Sequence, residues 1–324
     1  MIPVSHFPGN HCASTGIRNL VNFHGIAWSE PLCFGIGAGL GIWYMGFENS
    51  SPSRMIHVRS ADIETQFFTR IGQDFAWKQF EDPIEAEKEL CRCLDKGCPA
   101  ILQSDIFHLP YYDTQTHFPG HVITAWGYEQ ERQVFQVTDT ERESVLDVPF
   151  ENMRKARYCR DAYFSIQGNF YAPEEMAAPG NLPEIIRKAI RFNSHVLLND
   201  GMDFQGVAAL RKWKGEIDAW ERFEDWKWTA RFAYQVIEKR GTGGGGFRKM
   251  YAAFLEEAAD YLPEIQTLGL AGMMRTASQA WTDLAAALKT VSEDDLPDFS
   301  EVRNRLDTLE KTEYAYHQAA LKLP

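Results

Sequence analysis

The sequence predicts an α/β domain over residues 1–170, followed by an all-helical domain over residues 183–324. In the first part, segments with the helical period alternate with short apolar segments typical of strands. The second part follows the helical period almost throughout. Between the two, residues 171–182 are rich in glycine, proline and polar side chains and are interpreted as a linker.

The composition is that of a folded protein. Hydrophobic residues make up 44% of the 324 residues, which is enough for two domains of ordinary size. No apolar run approaches the ~18 residues that a membrane-spanning helix needs, and the first residues do not resemble a signal peptide. Because the six cysteines have no secretory context, we expect reduced thiols in a cytoplasmic protein that does not enter the membrane.

The first predicted element is an amphipathic helix that begins near Cys12. The residues that follow the helical period are Ile17, Leu20, Val21 and His24, and Gly25 ends the pattern. A cysteine in the first turn faces backbone N–H groups and the positive end of the helix dipole, and both favour the thiolate. Cys12 is therefore a candidate nucleophile. The alternative is a small buried hydrophobic residue, which is the usual state of a free cysteine.

Glycines recur at positions 35, 37, 39 and 41. Alternating glycine removes side chains from one face of an extended segment, so another backbone or a ligand can come close. The spacing is not a dinucleotide-binding fingerprint, because the third required glycine is missing. Glu30, just before this stretch, is either an exposed acid or a contact for a substrate amine.

Residues 56–59 predict a strand, residues 61–80 a helix and residues 84–94 a second helix that ends near Gly97. Three cysteines lie in or after this second helix: Cys91, Cys93 and Cys98. Residues two apart on a helix face different directions, and neither a C-x-x-C pair nor a histidine completes a zinc set. We therefore expect a structural role for them and no bound metal.

Three short strands are predicted at residues 99–104, 121–128 and 133–138. His121 opens the second of these strands, and Asp139 directly follows the third. Each residue alone has an ordinary explanation, as a core histidine or as the first residue of a turn. His11 and His117 are rival candidates for a base, and His11 is the weaker because neighbouring residues on a helix diverge.

Residues 241–246 form a glycine-rich loop that interrupts the helical pattern of the second domain. Such a loop at the start of a helix can bind an anion through its backbone N–H groups. The lysine and hydroxyl residue of a Walker A motif are absent. Gly243 and Arg248 are candidate anion-binding residues, with a flexible connector as the alternative.

Two stretches, HCASTGIRNLVNFHG at residues 11–25 and SEPLCFGIGAGLG at residues 29–41, resemble the N-terminal domain of the butirosin-biosynthesis protein H family. The resemblance continues past residue 170, into the helical domain that commonly accompanies it. It implies a papain-like, cysteine-peptidase-like fold for residues 1–170. It also implies the transfer of an acyl group from an acyl carrier protein to the amine of an aminoglycoside.

With the resemblance included, Cys12, His121 and Asp139 form the expected triad. His121 would hold the proton of Cys12, and Asp139 would orient the imidazole. The candidate oxyanion donors are the backbone N–H of Cys12 and the side chain of Asn10.

The expected function is that of a cysteine-dependent acyltransferase of secondary metabolism. The donor would be an acyl carrier protein or another thioester, the acceptor a small-molecule amine, and no cofactor is expected beyond a phosphopantetheine arm belonging to the donor. Two alternatives remain: a hydrolase using the same site, and a catalytically inactive fold that binds a ligand or a protein. The net charge of −12 argues against nucleic acid as a partner. The oligomeric state is left open, with a homodimer as one alternative.

Overall fold

The computed structural model describes residues 2–47, 50–159 and 165–324. The α-helices are α1 (Cys12–Phe23), α2 (Glu30–Ile36), α3 (Ile63–Arg70), α4 (Pro83–Asp95), α5 (Phe150–Ala156), α6 (Leu182–Leu198), α7 (Gly206–Glu216), α8 (Trp226–Glu238), α9 (Arg248–Ala258), α10 (Glu264–Thr267), α11 (Leu270–Glu293) and α12 (Ser300–Ala320). The strands are β1 (Leu40–Gly46), β2 (Arg54–Arg59), β3 (Ala100–Ser104), β4 (His121–Glu129), β5 (Val134–Thr138), β6 (Leu146–Pro149), β7 (Tyr158–Cys159), β8 (Ile166–Gln167) and β9 (Phe170–Tyr171).

The chain divides into two compact units. The first consists of Met1–Cys33 and Ile71–Pro179, and the second of Phe34–Arg70 and Gly180–Pro324. The sequence analysis assigned residues 34–70 to the N-terminal domain, whereas in the structure they pack with the C-terminal helices. Among the described residues, no helix is both long enough and apolar enough to cross a membrane.

The first unit contains an antiparallel sheet with the strand order β6-β5-β4-β3-β9. Helix α1 packs against β4 and β3, and helix α4 also packs against β4. The core between these layers includes the fully buried rings of Trp126 and Phe135. The N-terminal half of the chain is therefore mixed α/β, in agreement with the sequence prediction.

The second unit combines the β1–β2 hairpin with helices, in which α11 packs against α8, α9 and α12. Residues 180–324 are helical as predicted, but the unit as a whole is not all-helical. The ring of Tyr44 on β1 stacks on Trp213 at 5.9 Å and on Trp220 at 6.4 Å between centroids. The side chain of Asn193 also bonds both backbone groups of Leu40. These contacts explain why the hairpin belongs with the helices.

Helices α1 and α4 and strands β3, β4 and β5 lie within a residue or two of their predicted bounds. The predicted helix over residues 61–80 is wrong beyond Arg70, because Gly72 adopts a φ of 80° and turns the chain away. The stretch interpreted as a linker begins inside the sheet, since β9 pairs with β3.

The glycines at positions 35–41 do not lie on one extended segment, because Gly35 belongs to α2 and Gly41 to β1. The expected close approach is nevertheless found. A Cβ on Gly35 would lie 2.2 Å from the ring of Phe254, and one on Gly41 would lie 2.1 Å from the carbonyl oxygen of Arg59. These glycines serve packing within the second unit.

Candidate active site

Three elements of the first unit place Cys12, His121 and Asp139. Cys12 is the first residue of α1, His121 is the first residue of β4, and Asp139 directly follows β5. Because β4 and β5 are antiparallel neighbours, with Thr124 opposite Thr138, the start of β4 lies beside the end of β5. Helix α1 packs on β4 and so brings Cys12 to the same end of the sheet.

His121 and Asp139 form a buried pair. The Nε2 atom of His121 lies 2.8 Å from Oδ1 of Asp139, and the two side chains are 8% and 0% exposed. The Tyr111 hydroxyl donates to Oδ2 of Asp139 at 2.7 Å, and the Thr140 hydroxyl donates to Oδ1 at 3.0 Å. Burial alone would raise the pKa of Asp139, but the charge of His121 and these hydrogen bonds hold it below its ordinary value. Asp139 is therefore a carboxylate that fixes the imidazole.

Cys12 is close enough to His121 to raise the pKa of its imidazole. Since Nε2 faces Asp139, Nδ1 is the ring nitrogen left to exchange a proton with the thiol. Burial, the largest single influence, lowers the pKa of His121, but Asp139 and then Cys12 outweigh it and raise the pKa to about 10. The arrangement therefore favours an imidazolium beside the thiolate, at the N-terminus of a helix.

Two tyrosines and an arginine that the sequence analysis did not identify border this pair. Besides the Tyr111 bond to Asp139, the hydroxyl of Tyr112 lies 3.1 Å from Nε2 of His121. Burial, followed by the charges of Asp139 and Cys12, raises the pKa of Tyr112 well above its ordinary value, so this hydroxyl stays protonated. The guanidinium of Arg142 lies over both tyrosine rings, 5.8 and 5.6 Å from their centroids. In the sequence, the two tyrosines were recognisable only as adjacent aromatic residues in a loop, outside any segment with the period of a helix or a strand.

Glu30 has a different environment from the one expected. Its side chain is buried, and its Oε1 atom accepts the backbone N–H of His11 at 2.8 Å. The N–H of Asn10 lies 3.0 Å from Oε2 and 3.1 Å from Oε1. Oε1 also accepts the hydroxyls of Ser14 at 3.0 Å and Thr15 at 3.1 Å. A carboxylate used in this way is not an exposed contact for a substrate amine, so the structure corrects that expectation.

Family comparisons match both parts of the chain. Residues 11–140 match the family described as Butirosin biosynthesis protein H, N-terminal. Residues 151–320 match the family described as Domain of unknown function (DUF4872). The chain therefore belongs to the DUF4872 family, whose model covers more than half of it, and it carries the N-terminal domain of the butirosin biosynthesis protein H family before that region. No curated protein matches the chain.

Within this family member, the two matched ranges do not coincide with the two packed units. The first range contains Cys12, His121 and Asp139 together with residues 34–70 of the second unit. The second range begins in α5, which belongs to the first unit.

The remaining sequence candidates near the site have other partners. Asn10 is exposed, and its backbone N–H is taken by Glu30. His11 caps α1, since the N–H of Ser14 donates to its Nδ1 at 3.3 Å. His117 lies 2.6 Å from a carboxylate oxygen of Asp105 rather than in the Asp139 pair. These placements favour His121 as the base.

The glycine-rich loop of the second unit already binds a carboxylate that belongs to another residue of the protein. The N–H of Gly245 donates to Glu238 at 3.0 Å, and the N–H of Gly244 donates to the Thr242 hydroxyl at 3.1 Å. Gly243 is exposed, with a φ of 66°. The loop therefore binds an anionic group, but that group is the side chain of Glu238.

Arg248 is fully buried and has no N–H group available at the surface. Its guanidinium donates to Glu313 at 2.7 Å and to the carbonyl oxygens of Gly41, Val58 and Gly246 at 2.8–3.3 Å. The expectation that Arg248 binds a phosphate is therefore not carried into the proposed function. Glu313 also accepts hydrogen bonds from Trp281 and His317, so this cluster is a buried network of the second unit.

Among the residues that the structure describes, no group of three or more His, Cys, Asp or Glu side chains could hold a metal ion. Cys93 and Cys98 instead belong to the apolar core of the first unit. Burial, followed by the charges of Glu87 and Asp95, raises the pKa of Cys91 to about 12. This thiol is therefore an unreactive reference for Cys12.

Proposed function

We propose that this protein is a cysteine-dependent acyltransferase with Cys12 as nucleophile, His121 as proton carrier and Asp139 as the residue that orients His121. The observation that carries the proposal is the meeting of Cys12, the first residue of α1, with the imidazole of His121 that Asp139 holds at 2.8 Å. A thiol at a helix N-terminus beside an imidazolium has the properties that nucleophilic catalysis requires. The nucleophile helix packed on an antiparallel sheet that bears the histidine and the acid supports a papain-like fold.

The reaction has two steps. The Cys12 thiolate attacks the carbonyl carbon of a thioester, and the backbone N–H at the start of α1 stabilises the oxyanion. The donor thiol leaves with a proton from His121, and the acyl group stays on Cys12. An amine then attacks the acyl-enzyme, His121 accepts the amine proton, and the amide departs as the Cys12 thiolate is restored.

The nature of the donor and acceptor is inferred from the chemistry and from the family name. A thiolate exchanges acyl groups with a thioester at little thermodynamic cost, and the transfer to an amine is downhill. Members named for butirosin biosynthesis suggest a role in antibiotic or related secondary metabolism. We infer that an acyl carrier protein supplies the acyl group on its phosphopantetheine arm.

An acyl thioester of N-acetylcysteamine, a small mimic of that arm, tests the proposal. We expect intact-mass spectrometry to detect one added acyl group, and peptide mapping to locate it on Cys12. Addition of a primary amine should remove the acyl group as an amide faster than water removes it. Release by water at the same rate would favour the hydrolase instead. No acylation of Cys12 by any of several acyl chain lengths would overturn both enzymatic functions.

A further inference from the structure

The N-terminal end of α1 is already capped without Glu30. The N–H of Ser14 donates to Nδ1 of His11, and the N–H of Thr15 donates to the carbonyl oxygen of His11. A carboxylate that served only as a helix cap would accept the N–H groups of the second or third helical residue. Glu30 instead accepts those of Asn10 and His11, the two residues that precede Cys12. Its role therefore concerns the turn before the nucleophile.

The same turn is fixed from the other side by the segment that carries Asp139. The N–H of Gly9 donates to the carbonyl oxygen of Thr140 at 2.7 Å, and the Thr140 hydroxyl donates to Asp139. A Cβ on Gly9 would lie 2.1 Å from the hydroxyl of Thr15 and 2.8 Å from Oε2 of Glu30. Only glycine fits this close approach. Residues 9–11 are thus held between Glu30 and the residue that follows Asp139.

We propose that Glu30 is a positioning residue that fixes the Cys12 turn so that the thiolate meets the imidazole of His121. This inference rests on the proposed function of the Cys12–His121 pair. Glu30 itself contacts the turn through its oxygens and acts on the reaction only through the position of Cys12.

The effect of the position of the Glu30 oxygens can be separated from the effect of the Glu30 charge, because the two oxygens accept different sets of hydrogen bonds. Oε1 accepts the hydrogen bonds of His11, Ser14 and Thr15 and shares the N–H of Asn10, which is the one donor to Oε2 among the described residues. Glu30→Gln keeps an oxygen at the Oε1 position and loses the charge. Glu30→Asp keeps the charge, but its carboxylate is one methylene shorter and cannot reach the same donors. The charge matters to its surroundings as well, since Glu30 is an electrostatic partner of the buried Arg18.

The measurement is the rate of Cys12 alkylation by iodoacetamide at pH 9 divided by the rate at pH 6, determined by peptide mapping. We expect this ratio to stay below about threefold in the wild type, because a thiolate paired with an imidazolium persists at pH 6. Glu30→Asp should raise the ratio at least about tenfold, while Glu30→Gln should keep most of the reactivity at pH 6. Asp82→Ala is the matched control, since Asp82 caps α4 in the same unit through the N–H of Ile84 at 2.8 Å.

The control should lower the melting temperature and leave the ratio unchanged. If the Glu30→Asp protein folds and keeps the wild-type ratio, the inference about Glu30 is overturned and the proposed function is not affected. Loss of reactivity at pH 6 in Glu30→Gln with retention in Glu30→Asp would also overturn it, since charge rather than position would then be decisive. A wild-type ratio typical of an ordinary thiol would overturn the proposed function together with this inference.

Discussion

Replacing His121 with alanine removes the cation that holds the Cys12 thiolate. In the wild type, Asp139 and Cys12 raise the pKa of His121 to about 10, so the imidazole is charged throughout the range from pH 6 to pH 9. The thiolate should then persist at pH 6, and its alkylation rate should change less than about threefold between pH 6 and pH 9. In the His121→Ala protein, Cys12 loses this partner and should titrate as an ordinary thiol.

The expected size of the effect follows from that titration. A thiol with a pKa of ~8.5 is about 0.3% ionised at pH 6 and about 76% ionised at pH 9, so its alkylation rate rises about 200-fold. The assay is pseudo-first-order labelling with iodoacetamide, followed by peptide mapping of each cysteine. Cys91 serves as the internal reference, because its pKa is raised to about 12 by burial and nearby carboxylates.

His117→Ala is the matched control variant, since His117 is a histidine of the same unit that pairs with Asp105. It should keep the wild-type ratio. The reasoning is refuted if His121→Ala retains rapid labelling at pH 6, or if His117→Ala acquires the 200-fold dependence that is expected of His121→Ala. Faster labelling of another cysteine in the wild type would reject Cys12 as the nucleophile.

Two further variants test the two units separately. Asp139→Asn should keep the fold but slow acyl-enzyme formation from a thioester by roughly 10²–10⁴-fold, because the imidazole loses its orienting carboxylate; stopped-flow acylation measures this, and a wild-type rate would contradict the role of Asp139. Arg248→Met leaves the buried Glu313 carboxylate without its cation and should lower the free energy of unfolding by roughly 3–5 kcal/mol in urea titrations. The exposed Lys249→Met is its control, and Arg248→Met with unchanged stability would show that the buried pair is dispensable.

The local parts of the site could be read from the sequence because short-range patterns determine them. The helical period of α1 and Gly25 place Cys12 in the first turn, and the apolar strands place His121 and Asp139 at strand ends. These positions depend on neighbouring residues only. That His121 and Asp139 lie together also follows, because consecutive antiparallel strands bring such ends side by side.

The partners of polar side chains depended on the tertiary structure. Tyr111 lies 28 residues from Asp139 in the chain, and no periodic pattern connects the two. Glu30 was expected as an exposed acid or a substrate contact and Arg248 as an anion-binding residue, since charged side chains are almost never fully buried unless they are paired. Burial became favourable only where distant residues supplied the partners: the turn around Asn10 for Glu30, and Glu313, 65 residues away, for Arg248.

The division of the chain into units was likewise decided by packing. Residues 34–70 lie in the chain between the two segments of the first unit, so their sequence position alone suggested the N-terminal domain. Their rings and backbone groups are instead satisfied by residues more than 150 positions later, as in the pairing of Leu40 with Asn193. The hydrophobic effect favours the burial of apolar area regardless of the order of residues along the chain. Local sequence therefore determines the helices and strands, and packing determines which of them share a core.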